Sequence, residues 1–198
     1  KEVGGAVKRA FDSAGWSYFT EEIYDNFYPG YAGGWPSFGA GVAMTFEQSS
    51  ARGLSQRRDD GSIVTLREGA DRHFAAAWAV LTLASARADE IRGDVERYEK
   101  GLAARIAADE TKAYYLCPKP RTAEARSLVK SLLAQGIKVA ETTRVIEVDQ
   151  IRTTTTKTAA KTAVPKGAYV VLSDQPAYDL IRTLLSPEIA LDPDFLVA

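Results

Sequence analysis

The sequence predicts an α/β protein in two parts. A front segment carries a strand, a hairpin and a long helix, and a small open α/β sheet domain follows it. Three observations predict this. An apolar run ending in Glu47 precedes Asp59-Asp60-Gly61, which sits between two extended stretches and is a strong hairpin signal. From Phe74 to Ile106 apolar residues recur at steps of three and four, the period of a helix. Beyond about residue 112 strand and helix signals alternate, which marks a second unit. The boundary is expected between residues 108 and 109.

The elements follow in order. Ala6–Ala14 reads as a short helix with Val7, Ala10 and Phe11 on one face and Gly15 as its stop. Thr20 reads as the N-cap of another helix, with Glu21 and Glu22 in its first turn. Residues 28–41 hold two prolines and five glycines, so a loop is expected, and its Tyr and Trp side chains make it an unusual one. Val42–Glu47 is an apolar strand ending in a carboxylate. Leu54–Arg58 and Ser62–Arg67 flank the Asp-Gly turn. The following helical pattern is one helix or two, with Gly93 and Gly101 as candidate breaks.

Lys112–Cys117 is a strand stopped by Pro118. Thr122–Gln135 is an amphipathic helix with Thr122 as N-cap and Gly136 just past its end. Ile137–Glu141 is a second strand. Short links between them predict a parallel strand-helix-strand unit. Arg144–Ile151 is extended, and the Thr/Ala/Lys run to Ala163 is a polar low-complexity loop. Gly167–Leu172 reads as a buried strand and Gln175–Leu185 as a closing helix.

Composition excludes several classes. The chain has 198 residues, 45% hydrophobic and 26% charged, the balance of a globular protein. The apolar, uncharged run Phe74–Ala86 is too short for a bilayer, so no membrane span is expected. A net charge of −1 gives no electrostatic argument for nucleic acid. The start, Lys1-Glu2-Val3-Gly4-Gly5, has no apolar core after a basic residue and no initiator Met, and is expected to be the start of a processed piece. One cysteine excludes an internal disulfide, and one histidine cannot give a metal two imidazoles.

Candidate chemistry is sparse. Phosphate-cradling and nucleophile-elbow glycine motifs are absent. Cys117 and His73 have no sequence link. Cys117 is expected to pack as a small apolar residue, and His73, placed in the first turn of the long helix, to sit at the surface. Glu47 is the carboxylate of interest. It follows five uncharged residues, and such a group is solvated at an edge, paired, or placed in a cleft. Eleven of the nineteen aromatic residues fall between Phe11 and Phe46, so phenols and indoles crowd the chain just before it. A carboxylate base beside Tyr28, Tyr31 and Trp35 would make a hydrolytic half-site.

Gly15-Trp16-Ser17-Tyr18-Phe19-Thr20-Glu21-Glu22, then Phe27-Tyr28-Pro29-Gly30-Tyr31, Trp35-Pro36 and Met44-Thr45-Phe46-Glu47-Gln48 resemble the last third of a zinc carboxypeptidase domain of the carboxypeptidase A type. The likeness is closest to a bacterial subgroup and covers about residues 1–90. It implies that Glu47 is the general base that takes a proton from the attacking water. It implies that a loop tyrosine closes over the substrate, Tyr28 in the first place and Tyr31 as the alternative. Tyr31 and Trp35 are expected to contact substrate. The helix with Arg72, Phe74 and Trp78 would match the family's terminal packing helix.

The family's His-x-x-Glu pair, its later His and its substrate arginines all belong upstream, and this chain holds none of them. No metal ligand is therefore assigned here. Zinc is expected only in a longer parent protein, and this chain alone is expected to be inactive. Residues 109–198 are expected to form an accessory domain, loosely similar to open-sheet amidotransferase-type domains. The alternative function is a non-catalytic binding or interaction module on a peptidase-derived scaffold. The parent's partner would be a peptide substrate, and exposed sheet edges would favour self-association. The resemblance points to a secreted or periplasmic parent, while one lone cysteine fits that or the cytoplasm equally.

Overall fold

The structure, a computed structural model, describes residues 2–20, 30–117, 119, 121–152 and 159–187. The fold is mixed α/β, with helices and small antiparallel sheets. The chain divides into two compact units, Lys1–Tyr98 and Glu99–Ala198.

The first unit opens with α1 (Glu2–Ala14). After it the chain turns back, so that Trp16 and Tyr18 set their rings edge-on to Phe11 at 5.4 and 5.8 Å. The Tyr18 hydroxyl donates to Asp12 at 2.8 Å. Thr20 is exposed and outside any helix, and the helix expected to follow it lies outside the described residues. The glycine-rich loop is not wholly irregular: Trp35–Phe38 forms one 3₁₀ turn.

Strands β1 (Ser55–Arg57) and β2 (Ile63–Thr65) pair antiparallel, Gln56 opposite Val64. The Asp-Gly signal is borne out. Gly61 takes φ +84°, backbone that favours glycine, and Asp60 caps the turn by accepting from the Ser62 N–H and hydroxyl. Helix α2 (Leu66–Ala86) starts on a capping box: the Thr65 hydroxyl accepts from the Glu68 N–H, and the Glu68 carboxylate accepts from the Thr65 N–H. Its Ala76 is buried, as is Val7 on α1, and α1 packs against α2. Arg87 closes this pair by bonding both Glu2 and Glu90.

Two expectations for this unit need correcting. Val42–Glu47 forms no strand. It has no ladder partner, and Val42 is 80% exposed. A strand exists only by pairing, and an apolar run cannot show whether a neighbour is at hand. The long helical pattern is two helices, α2 and α3 (Ala88–Ala108), which break at Arg87 and not at either glycine. Gly93 and Gly101 both lie inside α3, since one glycine costs a helix only about 1 kcal/mol.

The second unit holds β3 (Ala113–Leu116), α4 (Thr122–Ala134), β4 (Ala140–Glu141), the hairpin β5 (Ile146–Ile151) and β6 (Ala159–Val164), β7 (Tyr169–Leu172) and α5 (Tyr178–Leu185). Arg121, not Thr122, occupies the N-cap of α4. The low-complexity run ends as strand β6, paired with β5. The expected parallel ladder between β3 and β4 is replaced by an antiparallel one. The sheet order is β3-β7-β4, and β7 runs antiparallel to both neighbours. β3 and β4 keep the parallel sense that a helical crossover imposes, but β7 has entered between them.

The core of this unit is Leu132 on α4, Ile137, Ala168, Val171 on β7 and Ile181 on α5. Buried Gln175 satisfies its whole amide. It donates to the Leu172 and Lys138 carbonyls at 2.9 and 3.0 Å and accepts from the Lys138 N–H at 2.7 Å. Asp109 accepts from the Tyr178 hydroxyl at 2.8 Å and the Thr111 N–H at 2.9 Å, with Arg182 at 3.5 Å. Burial alone would raise its pKa. These donors together outweigh burial and hold the carboxyl below the usual carboxylate range. Arg105 grips Asp179 with both terminal guanidinium nitrogens, Nη1 and Nη2, at 2.7 and 2.9 Å.

Candidate functional site

The described residues singled out in the sequence fall on one loop and one irregular run. Tyr28 lies outside the described residues. The Tyr31 carbonyl accepts from the Gly34 and Trp35 N–H groups, both at 2.9 Å, and this turn launches the 3₁₀ segment. Trp35 is half-buried with its ring edge-on to Phe38 at 5.9 Å. The Tyr98 hydroxyl donates to the Phe38 carbonyl at 3.4 Å, which ties the loop to α3. Gly41 closes the turn against Pro36. A Cβ there would stand 2.8 Å from the Pro36 Cβ and 2.9 Å from its carbonyl oxygen, so no larger residue fits without a shift.

Glu47 is exposed. Its carboxylate therefore takes the solvated option of the three that the sequence left open. What positions this run is the next residue. The Gln48 side chain reaches Gly69 on α2, whose Cβ position is 3.4 Å from the Gln48 Cγ. With its amide turned so that the oxygen faces this side, it accepts from Arg72 Nη1 at 3.2 Å. Arg72 in turn lies 5.8 Å over the Trp16 ring, a cation–π contact. Further on, Ala51 is buried and anchors the lead into the hairpin.

The turn thus brings Tyr31 and Trp35 together, while Glu47 stands on a separate run, held by its neighbour. The Trp16–Arg72–Gln48 relay escapes sequence reasoning. Its one signal is that Gln48 and Trp16 both fall within the family-like motifs, and nothing in spacing joins them to Arg72. His73 is exposed on α2, well beyond its first turn. Cys117 is exposed and not packed as an apolar residue, because β3 ends at Leu116 and releases it.

Among the described residues no three His, Cys, Asp or Glu side chains come together as metal ligands. None of the described helices is long and apolar enough to cross a membrane. Compared with protein-family models, with curated proteins and with solved structures, the chain matches none.

Proposed function

We propose that this chain is the C-terminal part of a zinc carboxypeptidase-like protein, in which Glu47 serves as general base and zinc is held by residues of a longer polypeptide. The observation that carries this reading is the inverted packing of the first unit. Its buried apolar residues, among those described, are Val7, Ala51, Val64 and Ala76. Its exposed ones include Phe74 at 69%, Trp78 at 62% and Leu81 at 64%, along one side of α2. From Phe74 to Ala86 that helix carries no charged residue. An exposed apolar stripe of this kind on a helix marks a surface that a partner covers. The remainder of a peptidase domain would supply that cover.

Zinc would contribute Lewis-acid chemistry from that remainder, and the described residues of this chain do not fit a zinc site. This chain would contribute the proton acceptor, Glu47, whose exposure leaves it open to water and substrate. Tyr31 and Trp35 would contact the substrate, with Tyr28 as the closing phenol. The second unit would be an accessory domain.

The test is Glu47→Gln in the longer protein, which keeps size and hydrogen bonding but removes the base. Peptide hydrolysis should fall by a factor on the order of 10²–10⁴ with metal content unchanged, the usual worth of a positioned base. Unchanged hydrolysis would remove Glu47 from the chemistry and leave the interaction module as the better account.

A further inference from the structure

We draw no further inference here: the strongest candidate, the open apolar groove that Phe74, Trp78 and Ala79 of α2 form with Ala6 and Ala10 of α1, belongs to the surface that the proposed function already gives to the rest of a peptidase domain, and nothing in the structure shows what else covers it.

Discussion

Replacing Trp78 by serine separates a side chain that belongs to this chain's own core from one that awaits a cover. An aromatic group of this size buries about 250 Å² when fully enclosed. Trp78 is 62% exposed, so the covered part is about 100 Å². At about 25 cal/mol per Å² that is about 2.5 kcal/mol. The uncovered part is about 150 Å², or about 4 kcal/mol, and is realised only when another surface closes over α2. Trp78→Ser should therefore cost the isolated chain at most about 2.5 kcal/mol. In the proposed longer protein the cost should rise to about 6 kcal/mol. Urea unfolding followed by far-UV circular dichroism reads both numbers. Equal losses in the two settings would refute the argument, because they would mean that nothing covers the outer side of α2.

Two further perturbations probe each unit separately. Asp109→Asn should destabilise the second unit by about 1–3 kcal/mol near neutral pH, since it weakens the bonds to Tyr178 and Arg182. Because the folded-state pKa of Asp109 is depressed, its contribution is full above about pH 4 and is lost as pH falls further; the variant's stability should then fall less steeply below that point. Thermal unfolding across pH 2–7 would show it, and parallel curves for both proteins would contradict it. Gly41→Ala forces a Cβ against Pro36 and should cost about 1–3 kcal/mol while altering the near-UV dichroism of the adjoining Trp35. An unchanged Trp35 signal would show that the turn shifts freely.

Local chemistry made part of this fold legible. Asp60-Gly61 announces its hairpin, and Gly136 falls just past α4, as its position after an amphipathic run suggests. What spacing could not show is pairing across distance. Val42–Glu47 has the composition of a strand and no partner. β3 and β4 have the link of a parallel pair, yet β7, distant in sequence, lies between them. The same limit applies to the site. Glu47 stands out by its charge, but spacing does not show that its neighbour Gln48 meets Gly69 on α2, a contact fixed by tertiary packing alone. Helical period likewise identified the apolar side of α2 without saying that Phe74 and Trp78 would face outward.

The place of β7 has a consequence for how the second unit is made. The middle strand of its sheet is the last of the three to leave the ribosome. Ala113 pairs with Leu172 and Ala140 with Val170, so neither outer strand has a ladder until the chain has been translated past them. At about 5–20 residues per second, β3 waits about 3–12 s for its partner. Through that interval its backbone donors and acceptors, and the apolar side of α4, are open to chaperones and to other nascent chains. Completion of this sheet is therefore a late, all-at-once event governed by the emergence of residues 169–172, and a translational pause before them would prolong the exposure, whereas one after them would let the sheet close.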